Sequence, residues 1–119
     1  MDEQAVPILH VANAANAVVW YNRLGFQKEW EHRFEPDLPL YMQISRGSLV
    51  FHLSEHYGDG SPGANVRVEM TGLDEFHAEL AAKRYNYDRP GIVEQPWGER
   101  SVTTHDPFSN RIHFCEQVK

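Results

Sequence analysis

The chain has 119 residues, of which 41% are hydrophobic and 24% charged, proportions typical of one soluble globular domain and not of a disordered chain. Its formal net charge of −6, with lysines and arginines scattered along the sequence, argues against a nucleic-acid partner, whose phosphates would be repelled. The single cysteine excludes an internal disulfide, and the acidic N-terminus and the lack of an apolar run of about 20 residues predict a cytoplasmic protein without a membrane partner.

The first half of the chain predicts one strand, one helix and three further strands. Residues 5–11 form an apolar run, and because Pro7 cannot donate to a ladder we expect an edge or terminal strand there. Asn13 is a good N-cap, apolar residues then recur at helical spacing, and Gly25 supplies a C-terminal stop. A tight turn at residues 46–47 joins the last two strands. The three strands are predicted at residues 26–33, 40–45 and 49–54.

The second half repeats the same order after a linker. Residues 56–63 consist of turn formers and divide the chain into module one, about residues 5–55, and module two, about residues 64–117. Both modules therefore have the order βαβββ. Module two is predicted to contain a strand at 65–70, a helix capped near Thr71 with Leu73, Phe76 and Leu80 on its buried face, a loop at 86–91, and strands at 92–93, 101–105 and 111–116.

The C-terminal hairpin carries the most specific motifs of the chain. Gln-Pro-Trp-Gly at 95–98 precedes it, Asp-Pro-x-x-Asn at 106–110 forms its turn, and Ile-His-Phe at 112–114 lies in its last strand. These residues resemble the C-terminal part of bleomycin-resistance proteins, in the glyoxalase, bleomycin-resistance and extradiol-dioxygenase (vicinal oxygen chelate) superfamily. Val-Pro-Ile-Leu at 6–9 and Arg-Leu-Gly-Phe at 23–26 follow the opening of the same family, so the resemblance covers nearly the whole chain.

The resemblance implies an α+β fold in which two βαβββ modules form curled mixed sheets around a cleft. It also implies a homodimer whose chains exchange their first strands, with Pro7 at the place of the hinge. The expected partners are therefore a small molecule and a second copy of the chain.

His52 and His113 occupy equivalent places in the last strand of each module, where by the resemblance the superfamily places metal ligands. The two remaining ligand positions fall on Val6 and Asn65, and valine cannot bind a metal while an amide binds one poorly. We therefore expect no cofactor and no catalytic residue, and histidines that line a polar cleft or bond neighbouring side chains. The alternative is a metal-dependent lyase, dioxygenase or thiol transferase with His52 and His113 as ligands.

Three aromatic residues, Trp30, Phe34 and Trp97, fall where the resembled family places rings that sandwich the planar bithiazole of the drug. Offset stacking of this kind adds about 1 kcal/mol per good pair beyond burial. Trp97, between proline and glycine, is a candidate wall of the cleft.

Polar side chains take the place of further aromatic rings. Arg67 and Glu69 share one face of the fifth strand, at two positions where the resembled family would place bulky aromatics, and they make the cleft more polar. Acidic residues near the cleft are candidates to neutralise a cationic tail of the ligand, and the alternative for each is a side chain that is simply solvated. These residues are Glu29, Glu31, Glu35, Asp37, Glu69 and Glu99.

The predicted function is non-catalytic sequestration of a flat, partly cationic aromatic antibiotic of bleomycin type, which confers resistance. A metal-dependent enzyme of the same superfamily and a binding protein for another small metabolite stay open as alternatives. The predicted ligand-binding residues are Trp30, Phe34, His52, Arg67, Glu69, Trp97 and His113.

Overall fold

The computed structural model of the protein describes residues 3–33, 35–56, 58–59, 63–83 and 90–118. The predicted order of strand, helix and three strands, occurring twice, is confirmed, and so is the α+β class, because two four-stranded mixed sheets accompany the helices. The elements are β1 (Ile8–His10), α1 (Ala14–Arg23), β2 (Gln27–His32), β3 (Tyr41–Arg46), β4 (Leu49–Ser54), β5 (Asn65–Glu69), α2 (Leu73–Ala82), β6 (Val93–Gln95), β7 (Glu99–His105) and β8 (Arg111–Gln117).

The first sheet has the strand order β1-β4-β3-β2, with β1 parallel to β4 and the other pairs antiparallel. Asn13 caps helix α1 as predicted, because its side chain accepts a hydrogen bond of 2.9 Å from the backbone N–H of Asn16. Gly25 follows the helix with a φ of +91°, which favours glycine. Tyr21 of the helix packs edge-on against Phe51 of β4, with ring centroids 6.3 Å apart. The face of β4 that carries Phe51 is thus the helix side of this sheet.

Several boundaries predicted in the first half are wrong. The predicted strands 26–33 and 40–45 each differ by one residue at both ends from β2 and β3. Strand β1 has three residues where we predicted residues 5–11, because it begins only after Pro7, which has no N–H to give to the ladder. The tight turn lies at residues 47–48 and not at 46–47, since β3 continues through Arg46.

The second sheet has the strand order β5-β8-β7-β6, with β5 parallel to β8 and the other pairs antiparallel. Helix α2 buries Leu73, Phe76 and Leu80, as the sequence predicted. The ring of Phe76 packs on Phe114 of β8 with a centroid separation of 4.4 Å. The face of β8 that carries Phe114 is therefore the helix side of the second sheet.

The start of α2 lies near Thr71, as predicted. Its N-cap is Gly72, with a φ of +77°, which has no side chain to cap the helix. The backbone N–H of Gly72 donates a 2.7 Å hydrogen bond to Oε2 of Glu116, 44 residues away in the sequence. A side chain from the adjacent sheet therefore replaces a local cap. Strand β6 lies at Val93–Gln95 and β7 begins at Glu99, so both run beyond the residues predicted for them.

The hairpin turn at residues 106–110 is held together by the carboxylate of Asp106. Its Oδ1 accepts a hydrogen bond from the backbone N–H of Asn110, and its Oδ2 accepts one from the hydroxyl of Tyr21, each 2.8 Å long. The side-chain amide of Asn110 also donates to the carbonyl of His10 at 3.0 Å. The motif thus does more than form a turn, because it also bonds helix α1 and strand β1.

By its contacts the chain divides into two compact units, one of Met1–Ala64 with Asp106–Asn110 and one of Asn65–His105 with Arg111–Lys119. Residues 57 and 60–62 of the predicted linker and residues 86–89 of the predicted loop lie outside the described residues. Within the described part of the chain, no helix is long and apolar enough to cross a membrane.

Candidate functional site

Each sheet carries one histidine on the face opposite its helix. Side chains alternate along a strand, so His52 points away from the side of Phe51, and His113 points away from the side of Phe114. We call these surfaces the first face and the second face. The first face comprises Trp30, Tyr41, Gln43 and His52, and the second face comprises Asn65, Arg67, Glu69, Trp97, Glu99, Ser101, Thr103, His113 and Cys115.

On the first face, His52 is bonded at both ring nitrogens. Nδ1 lies 2.7 Å from the hydroxyl of Tyr41, and Nε2 lies 3.0 Å from Oε1 of Gln43, so a ring that carries its proton on Nε2 satisfies both contacts. Trp30, which is 43% exposed, stacks on Tyr41 with centroids 6.2 Å apart and meets His52 edge-on at 5.4 Å. Burial raises the pKa of Tyr41, which keeps its hydroxyl a donor. The first face is thus a fixed, half-exposed aromatic surface.

On the second face, His113 repeats this arrangement with different partners. Nδ1 lies 2.9 Å from the hydroxyl of Thr103, and Nε2 lies 3.1 Å from Oδ1 of Asn65. Burial lowers the pKa of His113, and the positive charge of Arg111 lowers it further. The neutral ring therefore donates through Nε2 and accepts through Nδ1.

A metal fits these two histidines poorly. A catalytic zinc site needs about three protein ligands and an open position. Asn65, which the resemblance put at a ligand position, is instead the hydrogen-bond partner of His113, and His52 has neighbours at both nitrogens. Among the residues that the structure describes, no group of three or more histidine, cysteine, aspartate or glutamate side chains could hold a metal ion. Each of the two histidines is thus bonded at both ring nitrogens by side chains of its own sheet.

A pocket of about 340 Å³ opens on the second face. Trp97 stands at this pocket with 66% of its surface exposed, an unusual degree of exposure for a large aromatic side chain. Hydroxyl, amide, imidazole and thiol groups provide the polar lining. The lining residues are Arg67, Gln95, Trp97, Glu99, Ser101, Thr103, His113 and Cys115.

An ion pair between Arg67 and Glu99 lies in this pocket. Both terminal nitrogens of Arg67 donate to the two carboxylate oxygens of Glu99, with the bond from Nη1 to Oε2 at 2.9 Å. Glu99 is only 2% exposed, whereas the side chain of Arg67 is 45% exposed. Hydrogen bonds from Arg67, and more weakly from Trp97 and Cys115, lower the pKa of Glu99 to about 2. The carboxylate is therefore ionised and anchors its neighbours.

The structure brings together part of the predicted binding set. Arg67, Trp97 and His113 line the pocket of about 340 Å³ on the second face, and Glu69 stands beside it with its Oε1 3.6 Å from Nε of Arg67. Trp30 and His52 are in ring contact on the first face. Phe34 lies outside the described residues.

The sequence reasoning missed several members of both faces. Tyr41 and Gln43 on β3, and Ser101 and Thr103 on β7, follow the two-residue period that places them beside the histidines of the neighbouring strands. Applying that period to each predicted hairpin identifies them. For Glu99, the sequence predicts a counter-charge for a ligand or a solvated side chain, and not the pairing with Arg67.

A larger cavity, about 460 Å³, lies in the first unit between α1 and the helix side of the first sheet. Its charged side chains are already engaged: Lys28 pairs with Glu31, and Glu55 accepts hydrogen bonds from the backbone N–H groups of Ala14 and Leu40. Its described lining contains no aromatic ring. The second face therefore has the stronger features of a binding site.

Comparisons with known proteins place this chain among related sequences and folds. All of residues 1–119 match the family described as Glyoxalase superfamily protein. The bleomycin resistance protein of Geobacillus stearothermophilus is 24% identical over an alignment of 131 positions, which covers 98% of each chain. A bleomycin-binding protein solved in complex with bleomycin matches with a TM-score of 0.77 and 21% identity, over 98% of this chain and 99% of that one. A glyoxalase-related enzyme from Clostridium phytofermentans matches with a TM-score of 0.77 and 18% identity, over 99% of this chain and 97% of that one. The same fold thus serves a drug-binding protein and an enzyme, so the chemistry of the site has to separate the two.

Proposed function

The chain belongs to the glyoxalase superfamily, and we propose that within it this protein is a non-catalytic, cytoplasmic member that sequesters a flat, partly cationic aromatic antibiotic of bleomycin type and so confers resistance. The observation that carries the proposal is Trp97, a ring 66% exposed at the edge of a pocket of about 340 Å³. A planar heteroaromatic ligand gains buried area and offset stacking against such a ring. The names of the matched relatives, bleomycin resistance protein and bleomycin-binding protein, support the same ligand class.

The ionisable groups of the pocket favour binding over catalysis. A general base works best when its pKa lies near the operating pH, whereas that of Glu99 is about 2 and its oxygens already accept hydrogen bonds from Arg67. His113 has a neighbour at each ring nitrogen. These two groups therefore hold the pocket in shape, and neither is placed to take a proton from a substrate.

A cationic part of the ligand has a suitable neighbour in Glu69. The side chain of Glu69 is 75% exposed, so its carboxylate can approach a charged group of the ligand without losing a buried partner. The net charge of −6 adds to the attraction of a cation and speeds its encounter with the protein.

The first face supplies a second aromatic surface. Trp30 and Tyr41 stack there, and the hydrogen bonds of His52 hold the rings in place. We expect a flat ligand to use this surface too, with Phe34 as a further ring.

We also propose a homodimer whose chains exchange their N-terminal arms. Residues 3–6 lie in no strand of this chain, and the carbonyl of Pro7 accepts a 2.9 Å hydrogen bond from the backbone N–H of His52. A proline at this point, anchored to β4, suits a hinge from which the preceding residues extend to a second copy. Light scattering tests the dimer, and a monomer would contradict it.

Isothermal titration with metal-free bleomycin tests the function itself. We expect one ligand per chain, and we expect Trp97→Ala to weaken binding by about 1–3 kcal/mol because a stacking ring is lost. Val19→Ala is the matched control, since Val19 is 63% exposed on helix α1 and belongs to neither face, and its affinity should equal that of the wild type.

Two results would overturn the proposal. An unchanged affinity of Trp97→Ala would remove the stacking role of that ring. A wild-type protein that binds no drug at micromolar concentration, but is purified without chelator in a metal-bound form, would favour the metal-dependent enzyme instead.

A further inference from the structure

The carboxylate of Glu99 is not placed to receive a cation from the ligand. The side chain is 2% exposed, and both of its oxygens accept hydrogen bonds from Arg67. A carboxylate that is buried and paired with an arginine in this way is not open to a charged group of the ligand. Glu69, which is 75% exposed, is therefore better placed than Glu99 to neutralise a cationic tail of the ligand.

Arg67 is the group of this cluster that a ligand can reach. Its side chain is 45% exposed and lines the pocket, while its two bonds to Glu99 fix the plane of the guanidinium. A guanidinium has more N–H donors than these two bonds use. The exposed side of Arg67 thus offers preorganised donors to whatever enters the pocket.

Arg67 and Trp97 line the same pocket. Glu99 fixes the guanidinium of Arg67 there, so a ring that stacks on Trp97 can present one of its edges to the exposed N–H groups of Arg67. The charge of Arg67 is largely balanced by Glu99 and Glu69, which makes a neutral acceptor a better match than a strong anion. A cationic group at the same edge would meet the guanidinium and lose affinity.

We propose that Arg67, held by Glu99, is the specificity-determining residue of this pocket, and that it selects planar ligands whose ring edge presents a carbonyl-type oxygen. This inference rests on the proposed function, because it assumes that a flat ring stacks on Trp97. It places the cationic part of such a ligand away from Arg67, toward Glu69 and the solvent.

Two tricyclic compounds of the same shape test the inference. Acridone carries a neutral carbonyl oxygen at the central ring position where 9-aminoacridine carries an amino group and, on the ring system, a positive charge. Titration of the wild type should show tighter binding of acridone, on the order of ten-fold. Arg67→Met should erase or reverse this preference, because the donors are lost and the carboxylates of Glu99 and Glu69 then attract the cation.

Control variants separate the donor role from charge and from folding. Arg111→Met removes an equal charge from an exposed arginine on β8 that does not line the pocket, and the preference should persist. Arg67→Met leaves Glu99 buried without its main partner, so the double variant Arg67→Met with Glu99→Gln serves if the single variant does not fold. The double variant should likewise lose the preference for acridone.

The outcomes distinguish this inference from the proposed function. In one outcome, both tricycles bind in a manner that depends on Trp97, and Arg67→Met still binds acridone more tightly than 9-aminoacridine. This result would overturn the inference and leave the proposed sequestration standing. The inference is also overturned, and sequestration also stands, if neither tricycle binds while bleomycin still binds in a manner that depends on Trp97. If the wild type binds none of the three compounds, both proposals are overturned.

Discussion

The hydroxyl of Tyr21 donates a 2.8 Å hydrogen bond to Oδ2 of Asp106, a residue 85 positions later in the chain. Tyr21 is fully buried, and burial followed by the charge of Asp106 raises its pKa far above the usual range, so the phenol stays protonated and keeps donating. The bond connects helix α1 to the turn between β7 and β8.

Tyr21→Phe should destabilise the protein by about 1.5–3 kcal/mol, because it removes a buried hydrogen bond to a charged acceptor while it keeps the ring. Urea unfolding followed by circular dichroism measures the loss. Tyr41→Phe is the matched control: its hydroxyl bonds the neutral partner His52 in a partly exposed place, and its loss should cost about 0.5–1.5 kcal/mol. Equal costs for the two variants would contradict the role given to Asp106.

Glu99 should make the stability of the protein depend on pH in the acidic range. Because the folded protein lowers its pKa from 4.5 to about 2, the unfolded chain binds the proton first, and the stabilisation is present above pH 4.5 and is lost as the pH falls toward 2. Glu99→Gln should therefore lose less stability than the wild type over this interval. Unfolding curves at a series of pH values measure the difference, with exposed Glu94→Gln as the control that should follow the wild type. Parallel curves for Glu99→Gln and the wild type would refute the assignment.

His113 should titrate below 6.5, the ordinary value for histidine, because burial and Arg111 disfavour its charged form. The unfolded chain then binds the proton more readily, so stability should fall as the pH drops below about 6.5 and level off once the folded protein is also protonated. NMR titration of the imidazole protons gives the value directly. Oδ1 of Asn65 lies 3.1 Å from Nε2 of His113. Asn65→Asp replaces this amide by a carboxylate, whose negative charge should raise the pKa of His113. No upward change in that variant would contradict the contact.

The order of the elements was predictable because local signals mark them. Asn13 as a cap, glycine as a stop and apolar side chains at periods near 3.6 and 2 define both βαβββ modules, and the predicted core residues of α2 are buried. The cap of α2 was not predictable in this way. Its acceptor, Glu116, lies in another strand, and no local pattern around Gly72 points to it.

The pocket was predictable only in part, because some of its contacts join residues that are far apart in the sequence. Trp97, Arg67 and His113 stand out by residue type and strand face, and they do line one cavity. The role of Glu99 depends on Arg67, 32 positions earlier, which reaches it across the sheet and turns a residue that would look solvated into a buried anchor. Pairing over such distances is set by sheet topology, which composition and periodicity do not contain.

Strand β2 ends the first sheet, and all six of its residues are exposed. A regular, unpaired edge of this kind invites strands of other molecules to add to it, which leads to aggregation. Here the pairing register shifts between Lys28 and Trp30, and the charged side chains of Lys28, Glu29 and Glu31 occupy the edge. The proposed sequestration would require the protein to reach the concentration of its ligand, and an edge that disfavours the addition of further strands suits that requirement.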